Sequence, residues 1–182
     1  MSESKSGETL ETEGLRLFQE GLYEQAVERF GKAQELFVID GKEVKAAEML
    51  NNIGVLYRLM QQWNQAQNAL EEARAAFARL GDRDREAQAL GNLGGLLASQ
   101  GERLRALEYL RQSADIFGEI GDKQRQGEAL LNLAVQMWRT GDRRGALMTY
   151  YSGLQTLQKA TLFQKILRSL LKITSRLWSG GI

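Results

Sequence analysis

Three asparagines, Asn52, Asn92 and Asn132, recur at steps of 40 residues inside stretches of helix-forming composition. Asparagine is a mediocre residue in a helix interior, so a recurring one points to a use for its side chain. A primary amide both donates and accepts, and can pair with the N–H and C=O of an extended backbone whatever side chains that backbone carries. The same residues also fit bridges between adjacent helices. Near the third asparagine lies Trp138, a large side chain with little rotamer freedom to lose and therefore a candidate anchor. Arg139 and Arg58 have the charge to meet acidic groups of a ligand, and Arg58 equally fits an ordinary solvated helix face.

Other chemistry is poorly supported. The 182 residues include no histidine and no cysteine. That removes His-based triads, the usual general base near neutral pH, thiolate nucleophiles and His or Cys metal sites. There is no P-loop spacing, no dinucleotide glycine fingerprint and no paired-carboxylate motif, so neither an enzyme, a cofactor nor a metal is expected. Nucleic acid is disfavoured as a partner, because residues 1 to 142 hold 17 basic and 23 acidic side chains, a net −6.

The elements that must position these residues are helices. Proline is absent, and Ala, Leu, Glu, Gln and Arg are abundant. Five columns repeat at the step of 40: Leu10, Leu50, Leu90, Leu130; Gly14, Gly54, Gly94, Ala134; Gly21, Gln61, Gly101, Gly141; Ala26, Ala66, Ala106, Ala146; and Phe30, Leu70, Leu110, Tyr150. Gly41, Gly81 and Gly121 mark the junctions between units. Each unit reads as two helices with facing apolar stripes, Leu50, Ile53, Gly54 and Tyr57 against Trp63, Ala66, Leu70 and Ala73 in the second. Small residues in the Gly54 and Ala66 columns allow close approach, and Gly81-Asp82 and Gly121-Asp122 read as a helix stop followed by an N-cap. Glu13 breaks the apolar pattern and predicts a looser first unit.

Leu90, Leu93-Gly94, Leu97, Ala106 and Leu110 resemble the motif of the tetratricopeptide family, here in a long-period form similar to LGN-type adaptors, kinesin light chains and bacterial peptide-sensing regulators. The resemblance implies an all-α fold: a right-handed superhelix, or α-solenoid, of four helix-turn-helix repeats plus a C-terminal capping helix. The expected divisions are a flexible N-terminus at 1–7, repeats at about 8–40, 43–80, 83–120 and 123–160, an amphipathic capping helix at 161–178 and a tail at 179–182. It further implies a non-catalytic scaffold that binds a partner protein or peptide in a concave groove lined by the first helix of each pair. The residues so placed are Glu48, Asn51, Asn52, Val55, Arg58 and Leu59, then Gln88, Asn92 and Ser99, then Glu128, Leu131, Asn132, Val135, Trp138 and Arg139. Related long arrays use asparagine for peptide contact. The lysines with which chaperone-tail-binding relatives hold a terminal carboxylate are missing from these positions until Lys172.

The last 40 residues differ in charge, with seven basic side chains and none acidic. From Thr161 to Trp178 an apolar arc opposes Lys165, Arg168, Lys172 and Arg176. A cap for the array is the simplest use. A basic amphipathic helix with Trp178 also suits a peripheral contact with an anionic membrane, as in a membrane-associated assembly factor, or self-association into a homo-oligomer. No secretory signal is readable and no apolar run reaches bilayer length, so the expected location is cytoplasmic, with peripheral membrane attachment as the variant.

Overall fold

A left-handed residue follows each helix from α1 to α7, and it does so on a strict beat. Gly21, Gly41, Gln61, Gly81, Gly101, Gly121 and Gly141 all have positive φ, between 59° and 95°. In the computed structural model, which describes residues 6–159 together with 161 and 164, this beat separates eight α-helices, and no strand occurs among the described residues. They are α1 (Gly7–Gln19), α2 (Tyr23–Ile39), α3 (Glu43–Leu59), α4 (Trp63–Arg79), α5 (Arg83–Ser99), α6 (Arg103–Glu119), α7 (Lys123–Thr140) and α8 (Arg143–Thr156). The stop is a two-bond one. After α2, for instance, the Gly41 N–H donates to the Val38 carbonyl at 3.1 Å and the Lys42 N–H to the Phe37 carbonyl at 2.8 Å, which satisfies carbonyls the helix itself leaves over. Asp82, Asp122 and Asp142 then start α5, α7 and α8, each accepting a backbone N–H three residues on at 2.8–3.0 Å. The Asp122 carboxyl is held below its ordinary range by that bond to the Arg125 N–H and by the Arg125 side chain.

The chain divides into two compact units, residues 1–100 and 101–182. In the first, α1 to α5 enclose a core of Leu10, Leu17, Phe30, Phe37, Met49, Ile53 and Leu56 with interleaved alanines, and a second cluster joins Ala47, Ala73, Phe77 and Ala89. The paired helices touch where a small residue meets a large one. A β-carbon on Gly14 would lie 2.6 Å from the Phe30 ring, and one on Gly54 2.6 Å from Leu70 Cγ and 3.2 Å from the Ala66 carbonyl. A further contact of this kind sets Gly7 against Phe37, where the corresponding distance is 2.7 Å. Phe37, Phe77, Phe117 and Leu157 form a buried column at the step of 40 that the motif reading above passes over.

The first pair is not loosened by Glu13. Leu10, Gly14 and Leu17 are buried, Leu10 more completely than its equivalents Leu50 and Leu130. Thr9, Glu13 and Arg16 occupy the positions of Met49, Ile53 and Leu56, which are buried in α3. Glu13 instead pairs with Arg29 at 3.5 Å, and Arg16 with Glu20 at 2.6 Å. This face of α1 is therefore polar, with Thr9 and Arg16 exposed and Glu13 half-buried in its ion pair.

In the second unit α7 and α8 pack along their length, with Leu110, Leu133, Met137 and Ala146 forming a core cluster. Here the close approach is at Gly127, whose β-carbon would stand 2.8 Å from Leu157 Cδ2, and at Gly153, 3.0 Å from the Gly127 carbonyl.

Two substitutions in the first unit test these two devices with opposite signs. Gly54→Ala gains about 1 kcal/mol of helix propensity but overpacks a filled contact at about 1–3 kcal/mol, so urea denaturation should record a net loss. Gln61→Gly should raise stability by about 0.5–1 kcal/mol, because the 1–2 kcal/mol strain of a left-handed side chain exceeds the extra entropy of glycine in the unfolded chain.

Candidate functional site

With the apolar stripes consumed between helices, the side chains left over on α3, α5 and α7 form the candidate site, and they differ between the two units. In the first unit they make a polar concavity of about 270 Å³ lined by Glu11, Lys45, Glu48, Asn51, Asn52, Phe77, Arg85 and Gln88. Its charges are spent on one another. Lys45 reaches Glu11 at 3.0 Å and Glu48 at 3.1 Å, Glu48 bonds Arg85, and Arg85 returns to Asp82 at 2.8 Å. The hydrogen bond that Lys45 donates to Glu11, with Glu48 adding to it against burial, raises the Lys45 ammonium above its ordinary value. For Arg85, burial works against the charge, but Glu48 and Asp82 outweigh it and the net direction is up. A ligand carboxylate or ammonium entering here would have to displace a partner already in place.

The asparagines do not act alike. The Asn92 amide donates to Asn51 Oδ1 at 3.0 Å and so ties α5 to α3. Asn52 lies half-buried in the lining of the polar concavity. Asn132 is exposed on α7. Gln88 donates to Asp84 at 2.9 Å, and Gln124 donates to Glu128 at 2.7 Å. Val55 and Arg58 are half-buried, with Arg58 Nε out of water and lacking a hydrogen-bond partner. Leu131 is half-buried on α7.

In the second unit the surplus side chains are apolar. Ala134, Val135, Trp138 and Arg139 of α7 meet Ala146, Leu147 and Tyr150 of α8 around a concavity of about 300 Å³. Trp138 is 51% exposed and stands at its edge, with Val135 and Leu147 also exposed. The Arg143 guanidinium lies 5.6 Å from the centre of the Trp138 ring, within cation–π range. The structure thus brings Val135, Trp138 and Arg139 together, and adds Leu147, Tyr150 and Arg143, which a search restricted to first helices does not find. Of these three only Tyr150 left a signal in the sequence, since it belongs to one of the repeating columns.

Lys165, Arg168, Lys172, Arg176 and Trp178 lie outside the described residues. Among the described residues no helix is long and apolar enough to cross a membrane, and no group of three or more acidic side chains is placed to hold a metal ion.

The division within the asparagine column has a thermodynamic consequence. Asn92→Ala removes a partly buried inter-helix bond and should cost about 0.5–1.5 kcal/mol of stability. Asn132→Ala, on an exposed face, should stay within about 0.5 kcal/mol of the parent in the same thermal melt.

Comparison with known proteins agrees with this architecture. The chain superposes on the crystal structure of BtubC (BKLC) from P. vanneervenii with a TM-score of 0.75 at 19% identity, covering 86% of this chain and 69% of that one. Aspartyl phosphate phosphatase F from Bacillus subtilis gives a TM-score of 0.82 at 14% identity, over 91% of this chain and 44% of that one. A Rap protein complexed with competence and sporulation factor gives 0.70 at 16% identity, over 82% and 42%. The chain therefore spans less than half the length of the last two, and the likeness to all three is one of fold. No curated protein sequence matches it significantly. The tetratricopeptide-repeat family matches residues 7–79 and 45–119. Those matches take in more than half of the sequence, with the helical pairs and small-residue contacts described above, and the chain belongs to the tetratricopeptide-repeat family.

Proposed function

We propose that the chain is a non-catalytic protein-interaction scaffold that holds a peptide or segment of a partner protein against its first-helix side, with Trp138 as the principal anchor. The observation that carries this is the half-exposed indole standing over an apolar concavity between α7 and α8. A folded chain gains nothing in stability from leaving such a ring in water, whereas a partner that covers it buries a large area at small entropic cost. Interfaces of this kind draw most of their energy from a few aromatic and arginine residues set in pockets. The family is one of interaction scaffolds, and one protein of similar fold, the Rap protein, is complexed with competence and sporulation factor.

The test is affinity for a partner co-purified from the native source and titrated against the isolated full chain. Trp138→Ala should weaken binding at least tenfold, about 1.4 kcal/mol or more, while leaving the melting curve close to that of the parent. An unchanged affinity would remove Trp138 from the interface.

A further inference from the structure

The rim of the α7–α8 concavity carries a charge pattern that defines what should enter it. Its floor and walls are Ala134, Val135, Ala146, Leu147 and Tyr150, with Trp138 at the edge. The charged side chains at the mouth are Arg139, which lines it, and Arg143, which lies against the Trp138 ring. Both arginines are exposed, and neither guanidinium has a carboxylate partner among the described residues. The acidic residue next in sequence, Asp142, is engaged elsewhere, since it accepts the Gly145 N–H at 2.8 Å as the cap of α8. The first unit is the contrast, for there Lys45 and Arg85 each sit between two carboxylates.

Resting on the scaffold reading above, we infer that this concavity takes an aliphatic or aromatic side chain from a partner segment that carries carboxylates beside it. The apolar side chain fills the space between Val135, Leu147 and Tyr150 and covers the indole. The flanking carboxylates pair with Arg139 and Arg143, whose planar donors suit a carboxylate in two-point contact. Covering the indole removes water from around Arg143 and strengthens its ion pair, so the apolar and charged contacts reinforce each other. A basic segment meets the same rim as repulsion.

The probe is a set of three short fluorescein-labelled peptides titrated into the full chain by anisotropy: one with leucine or phenylalanine flanked by glutamates, one with lysines replacing the glutamates, and one with serine replacing the apolar residue. The acidic apolar peptide should bind, and each replacement should weaken it at least tenfold. Trp138→Ala should weaken it to a similar degree. The double variant Arg139→Glu, Arg143→Glu should reverse the preference and select the lysine peptide, an outcome that loss of folding cannot mimic. Added salt should weaken the acidic peptide more than a neutral one. Absence of binding would overturn the inference, whether because residues 162–182 or a second copy fill the concavity or because the surface attracts nothing. Equal binding of the lysine peptide through Trp138 would also overturn it while leaving the scaffold reading intact. A co-purified partner whose affinity ignores Trp138 would instead sink the scaffold reading as stated.

Discussion

The structure depends on one contact made again and again: a residue with almost no side chain on one helix of a pair facing a bulky residue on the other. Gly14 against Phe30, Gly54 against Leu70, Gly7 against Phe37 and Gly127 against Leu157 all leave no room for even a methyl group. That proximity fixes how near the axes come and which faces are consumed by packing. The left-handed stop at every twentieth residue then sets the helix length, so each pair offers the same stripe at the same height.

Because packing is satisfied between helices, the remaining faces are free to differ, and they do. In the first unit the α3 and α5 side chains neutralise and bridge one another, from Glu11 through Lys45 and Glu48 to Arg85 and Asp82, with the Asn51–Asn92 bond alongside. Such a surface is well hydrated and holds its neighbours in register. In the second unit the corresponding side of α7 carries Val135, Trp138 and Arg139 over an apolar floor. One scaffold therefore presents two surfaces of unlike chemistry, and only the second offers uncovered apolar area together with exposed arginines that lack carboxylate partners among the described residues.

Much of this was legible in the sequence because a period of 40 makes each residue testify for its equivalents. The helical pairs, the Gly54 and Ala66 columns, and the aspartate caps at 82 and 122 follow from local rules that tertiary structure does not override. The phenylalanine column was equally periodic and went unread because the familiar motif does not emphasise it. Glu13 misled because a pattern break was taken as weakness. The carboxylate is paired with Arg29 on the neighbouring helix, while Leu10, Gly14 and Leu17 keep the apolar face of α1 buried. The fate of the asparagines was not readable at all. Asn92 bonds to Asn51, a residue 41 positions earlier on another helix, and no rule of spacing distinguishes that bond from one offered to a ligand. Arg143 and Leu147 were hidden for a similar reason, since their meeting with Trp138 is made by the fold of the α7–α8 pair and not by proximity in any single helix.

The central claim is that a partner covers the side of the second unit where α7 and α8 meet. Hydroxyl-radical footprinting of the full chain, with and without its co-purified partner, reads this side chain by side chain. The account requires labelling of Trp138 and Leu147 to fall sharply on complex formation while Ile39 and Leu104, exposed on second helices at 79% and 76%, keep theirs. Protection of Ile39 or Leu104 with Trp138 labelled as before would contradict it.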